Sequence, residues 1–127
     1  MTLAVVAFWL VALLLAGLAV FQTALALGAP LGHFAWGGGQ RVLSPRMRVA
    51  SGVAILLYVV FALIFADRTG LVSLLYPAVA TVGAWAIAVY AWIGVLMNAI
   101  SRSLPERLTM TPVSLLLAAA ATLIALS

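Results

Sequence analysis

Nearly all side chains capable of chemistry lie in two polar stretches, residues 22–48 and 98–107, which hydrophobic sequence separates. Arginine recurs in both stretches, and its planar guanidinium group matches the oxygens of phosphates and carboxylates. One interpretation is therefore a cationic pocket for an anionic group. The alternative is that these arginines only orient the chain in a membrane. The candidate ligand-binding residues are Gln22, His33, Gln40, Arg41, Arg48, Asn98, Arg102 and Glu106.

The chain contains few residues that could take part in catalysis or bind a metal. His33 is the only histidine, Asp67 and Glu106 are the only acids, and there is no cysteine. A lone histidine could relay a proton or bind a metal, but a hydrogen-bonded interfacial histidine is the favoured interpretation. No set of nucleophile, base and orienting group is apparent, and no nucleotide-binding glycine pattern occurs. We predict no catalytic residue, no metal and no cofactor, and we rank an enzymatic function last.

The elements that carry these residues are membrane helices. Hydrophobic residues make up 68% of the 127 residues and charged residues only 6%, against roughly 25% charged residues in soluble domains. The hydrophobic runs are close to the length of about 20 residues that crosses a bilayer. The sequence predicts an all-α membrane protein: one integral domain, residues 1–127, forming a bundle of four transmembrane helices. We place the helices at about 3–27, 49–66, 76–98 and 108–127.

The distribution of arginine predicts the orientation of this bundle. The formal net charge is +4, and every basic residue is an arginine. The first and third loops carry five of the six arginines, while Arg68 is alone in the second. Cytoplasmic loops are enriched in basic residues, so we expect loops 28–48 and 99–107 to be cytoplasmic and both termini outside. The charge is assigned to topology and lipid head groups rather than to nucleic acid. The Arg bias and the Ala/Leu/Val-rich helices indicate a GC-rich bacterial genome, and we therefore expect a bacterial cytoplasmic membrane.

The first loop has an unusual composition for a segment in water. From Gly28 to Gly39 it has no formal charge if His33 is neutral, and it contains Leu31, Phe34 and Trp36. Non-helical backbone at membrane depth occurs where protein buries it or where it lines a cavity. We therefore expect residues 30–36 to form a turn or partial helix packed against the helix ends, partly embedded at the inner face.

Helix packing also has a signature in the third hydrophobic run. Ala80, Ala84 and Ala88 recur every four residues and form a smooth ridge. Small residues allow close backbone approach, on which helix association in lipid depends. Packing within the chain is the favoured interpretation, and an oligomer interface is the alternative.

Two short patches resemble a known group of proteins. The first is GAPLG at 28–32 with AWGG at 35–38, and the second is NAISRS at 98–103 with Glu106-Arg107. They are similar to patches in uncharacterised small bacterial four-helix integral membrane proteins. The resemblance implies the fold and carries no function. Small multidrug transporters rely on a glutamate in the first helix, which this chain lacks, and the GGGQR segment at 37–41 only superficially echoes fluoride channels.

These observations favour a small bundle that binds lipid or a membrane partner through an inner-face cationic pocket. The alternative is a small-solute or ion transporter or channel, in which case an oligomer is expected. Ionisable groups within membrane spans usually mark such pathways, and the centres of the hydrophobic runs contain none. The expected partners are membrane lipids, including anionic head groups, and either further copies of this chain or a larger membrane complex.

Overall fold

The computed structural model describes all 127 residues and contains helices but no strands. It confirms the predicted all-α fold with four long helices, each long and apolar enough to cross a membrane. The chain is a multi-pass helical bundle. The helices are α1 (Leu3–Ala26), α2 (Pro45–Arg68), α3 (Pro77–Ala99) and α4 (Leu104–Leu126), with short 3₁₀ turns at Gly32–Phe34 and Trp36–Gly38.

Two helices begin four residues earlier than the sequence analysis placed them. At the start of α2, the Ser44 side chain accepts a hydrogen bond from the Met47 backbone N–H, at 3.4 Å, and Pro45 occupies the first helical position. Ser103 likewise precedes α4, which has Pro105 in its first turn. A serine followed by proline is a helix-start signal. As a consequence, Arg46, Arg48, Glu106 and Arg107 belong to helices rather than to loops.

The four helices form a ring in which α1 packs on α2 and α4, while α3 packs on α4 and α2. The first and third loops meet at one end of this ring, where the Ser103 hydroxyl donates to the His33 carbonyl oxygen. We call this the arginine end. The opposite end, with both chain termini and residues 69–76, is the terminal end. There the Arg68 guanidinium donates to the Ala125 carbonyl oxygen at 3.1 Å.

The terminal half of the bundle is tightly packed. Its core brings Phe8 and Val11 of α1 against Phe65 of α2 and Ile124 of α4. The alanine ridge of α3 lies at the centre of the bundle, since Ala80, Ala84 and Ala88 are 3%, 0% and 2% exposed. This confirms that the ridge packs within the chain. The half of the bundle toward the arginine end is different, because its centre is hollow.

Candidate functional site

A cavity of about 770 Å³ occupies the half of the bundle toward the arginine end. All four helices and the first loop contribute to its wall, and 22 of the 29 lining residues are hydrophobic. Along α4 the lining runs from Glu106 to Ala121, which corresponds to about 22 Å at 1.5 Å per residue. The space is therefore long, narrow and mainly apolar, with a volume typical of small-molecule sites.

The cavity is open to one side of the bundle. Leu57 of α2 and Ile93 and Met97 of α3 line it, and all three are also exposed on the outer surface. These two helices pack on each other less extensively than α3 packs on α4. Near the middle of the bundle they are bridged by an edge-to-face contact between Phe61 and Tyr90, with ring centroids 5.7 Å apart. The wall of the cavity between α2 and α3 is thus partly exposed on the side of the bundle.

The first loop covers the arginine end of the cavity, and Trp36 and Gly37 form its inner surface. Trp36 has φ +53°, a left-handed conformation that is uncommon for a residue other than glycine. Its indole N–H donates to the Ser51 hydroxyl of α2 at 3.1 Å, and Ser51 is fully buried. Gly37 also has positive φ, and its backbone N–H donates to Glu106 Oε2 at 3.3 Å. The loop is thereby held on both α2 and α4, as the sequence analysis expected.

Polar groups in the cavity wall lie mainly toward the arginine end. Gln22 is 8% exposed, and its Nε2 donates to the Tyr58 hydroxyl at 3.4 Å. The other amide atom, Oε1, is buried and has no hydrogen-bond partner. Asn98 and Ser101 complete this polar part of the lining. Gln22 Oε1 is thus an unpaired acceptor enclosed in the cavity wall, and a buried amide oxygen without a partner is energetically unfavourable.

Glu106 is the only charged residue in the cavity lining. Its side chain is 6% exposed, and the backbone N–H of Gly37 is its hydrogen-bond donor. Glu106 lies in the first turn of α4, because this helix begins at Leu104. The helix therefore fixes the direction of the Glu106 side chain toward the interior of the bundle. A carboxyl group in an apolar cavity is costly and is usually paired when charged.

No arginine lines this cavity, so it is not the cationic pocket that the sequence predicts, and that pocket stays a prediction. Arg48 donates through Nε to the Ala26 carbonyl oxygen at 2.7 Å and so caps the C-terminal end of α1, where a cation is favourable. Arg107 donates to the Ser101 carbonyl oxygen at 3.2 Å. Arg41 and Arg102 are exposed. The arginines surround the cavity end without entering it.

Of the eight candidate residues, the structure brings Gln22, Asn98 and Glu106 together in the cavity wall. His33 lies outside, exposed, with Nδ1 3.2 Å from the Gly38 carbonyl oxygen. Gln40 is also exposed, and its Oε1 accepts from the Ser44 backbone N–H at 2.9 Å. Both residues thus take part in the structure of the loop rather than in the cavity.

Sequence reasoning missed Tyr58, Ser101 and Trp36 as cavity residues. Tyr58 lies in the middle of a hydrophobic run, and a single tyrosine there gives no periodic signal. Its position, however, is seven residues after Ser51, so the two share one face of a helix. That shared polar face was the one available signal.

No protein-family model, no curated protein and no solved structure matches this chain. The fold and the cavity alone define the class of protein: a four-helix membrane-type bundle with an apolar cavity that is open to one side. We call this cavity the chamber.

Proposed function

We propose that this protein is a lipid-binding membrane protein that takes the hydrocarbon chain of a bilayer lipid into its internal cavity. The observation that carries the proposal is the long apolar chamber with its lateral opening between α2 and α3. A water-soluble ligand would find mainly hydrocarbon in this space, whereas a lipid chain enters it from the adjoining bilayer without crossing water.

The dimensions support one chain as the occupant. The chamber extends about 22 Å along α4, and one leaflet of hydrocarbon is about 15 Å thick. A chain that spans one leaflet therefore fits inside with its polar end at Gln22 and Glu106. The apolar end of the chamber reaches Phe65 and Ala121, at the edge of the packed core.

The orientation belongs to the same proposal: the protein lies in a bacterial cytoplasmic membrane with its arginine end in the cytoplasm and its termini outside. The exposed Arg41, Arg46 and Arg102 would hold that end at anionic head groups, each basic residue near such a surface being worth about 1 kcal/mol. The packed terminal half supports binding over a channel, because Phe65 and Ile124 fill the path that a solute would need.

A photoreactive phospholipid tests chain binding. In phosphatidylcholine vesicles with a diazirine on one acyl chain, we expect adducts on the cavity residues Met110 and Leu117 as well as on outward residues. Gly94 lines the cavity, and a Cβ built there meets nothing within 4 Å. A phenylalanine at this position enters the opening, so Gly94→Phe should lower adducts at the cavity residues at least fivefold.

The matched control is Gly17→Phe. Gly17 is another helical glycine whose added Cβ meets no atom within 4 Å, and it does not line the cavity. Adducts on outward residues such as Leu13 and Val20, both exposed, measure ordinary contact with bulk lipid in every variant. Cavity adducts that remain at the wild-type level in Gly94→Phe would refute chain binding.

Cysteine labelling tests the orientation, and the absence of native cysteine makes each introduced thiol unique. Gly39 and Ser73 are exposed and lie at opposite ends of the bundle. With a membrane-impermeant maleimide, Ser73→Cys should react in intact bacterial cells and Gly39→Cys only after the membrane is permeabilised. The reverse pattern would contradict the proposed orientation.

A further inference from the structure

The polar end of the chamber has a chemical preference of its own. We infer that it binds the ammonium group of an amine-bearing amphiphile, with Glu106 as the anion. This inference rests on the proposed chain-binding function and specifies the head group that accompanies the chain.

The charge arrangement carries the first step of the argument. Glu106 is more than nine-tenths buried and is the only charged residue among those that line the chamber. The nearest basic residue in sequence, Arg107, turns away to the Ser101 carbonyl oxygen. A buried carboxyl group with no cation from the protein lacks the partner that such groups normally have. An ammonium group supplies it.

Gln22 is a second polar residue in the wall of the chamber. It lies on α1, is more than nine-tenths buried and lines the same space. Its Oε1 has no hydrogen-bond partner within the protein. An ammonium group has three N–H donors and no acceptor, so it pairs with the Glu106 carboxyl group and adds no acceptor to a wall that already has an unpaired one. A phosphate or carboxylate head would oppose Glu106 and donate nothing.

Three amphiphiles with the same hydrocarbon chain and different head groups distinguish the contribution of the head group to binding from that of the chain. Dodecylamine, dodecanol and dodecanoate are used as competitors against the photoreactive phospholipid in neutral phosphatidylcholine vesicles at pH 7, with adducts on Met110 and Leu117 as the readout. The amine should compete at a concentration about tenfold lower than the alcohol, and dodecanoate should be the weakest competitor. In Glu106→Gln, which keeps an acceptor for the Gly37 N–H, the amine should lose its advantage over the alcohol.

Competition by dodecanol shows in each variant that the chamber is intact. Asp67→Asn is the matched control, because Asp67 is the other acid and its Oδ2 accepts from the Leu74 backbone N–H at the terminal end. It should leave the order of the three competitors unchanged.

The outcomes separate the two proposals. Equal competition by all three compounds, or an amine advantage that persists in Glu106→Gln, would overturn the ammonium site while leaving chain binding in place. Failure of all three compounds to reduce adducts on Met110 and Leu117 would overturn chain binding itself, and the ammonium site with it.

Discussion

Replacing Ala84 with leucine is expected to lower the free energy of unfolding by about 3 kcal/mol, at the upper end of the usual cost of overpacking a core. Ala84 is 0% exposed and belongs to the packed core of the terminal half, together with Ala121 of α4. It does not line the chamber, so the added atoms have no empty space to enter. In lipid, close packing of small residues stabilises helix pairs, and a leucine forces α3 and α4 apart.

Ala86→Leu is the matched control on the same helix. Ala86 is exposed, and a leucine there meets lipid, which is as apolar as its own side chain. We expect its effect to be within about 0.5 kcal/mol of zero, as for a substitution outside the core. Unfolding in mixed micelles, titrated with sodium dodecyl sulfate and followed by circular dichroism, measures both variants. Similar destabilisation by the two leucines would contradict the central position of Ala84.

The sequence predicts the fold because the bilayer imposes a length on each helix. Hydrophobic runs near 20 residues and small-residue spacing together indicate the bundle and the face of α3 that packs inside it. The first and third loops lie on the same side because successive spans alternate in direction. Helices α2 and α4 begin earlier than the hydrophobic runs indicate, because their first turns contain charged residues. Ser44-Pro45 was the better signal, since capping geometry, not polarity, begins a helix.

The chamber could not be predicted in the same way. Whether two helices diverge depends on how all their side chains pack, and the hydrophobic pattern of α2 is the same whether its inner face meets protein or an empty space. The arginines were expected in the site because their charge is conspicuous, yet Arg48 serves the end of α1. Gln22 and Glu106 were found as candidates because polar residues beside a membrane span are few. Tyr58, inside a hydrophobic run, was not.

Gly32→Ala is expected to release the first loop from the bundle, because this residue makes the closest backbone approach within the loop. Gly32 is buried, and its N–H donates to the Arg41 carbonyl oxygen at 2.8 Å. A Cβ on Gly32 would overlap the Gln40 carbonyl oxygen and lie 2.8 Å from that of Arg41. Both obstacles are backbone atoms, so no side chain can rotate away. A strain of about 2 kcal/mol is a reasonable magnitude for such overpacking.

Trypsin measures the release of the loop at Arg41, which is exposed on its outer part. When opening and closing are faster than cleavage, the rate follows the population of the open form. A strain of about 2 kcal/mol then corresponds to cleavage about thirtyfold faster than in the wild type. Gly39→Ala is the control, since its added Cβ meets nothing within 4 Å and its φ of −73° suits any residue. Its cleavage rate should stay within twofold of the wild type.

Release of the loop should also alter ligand binding in the chamber, because the loop contributes Trp36 to its wall and the Gly37 N–H that donates to Glu106. In Gly32→Ala, the amine should therefore lose most of its advantage over the alcohol, while dodecanol still competes along the apolar wall. Binding of the hydrocarbon chain would then depend on the helices, whereas binding of the ammonium head group would depend on the loop that covers them. Fast cleavage at Arg41 with an unchanged amine advantage would show that Glu106 needs no covering loop, and would separate the site from the loop.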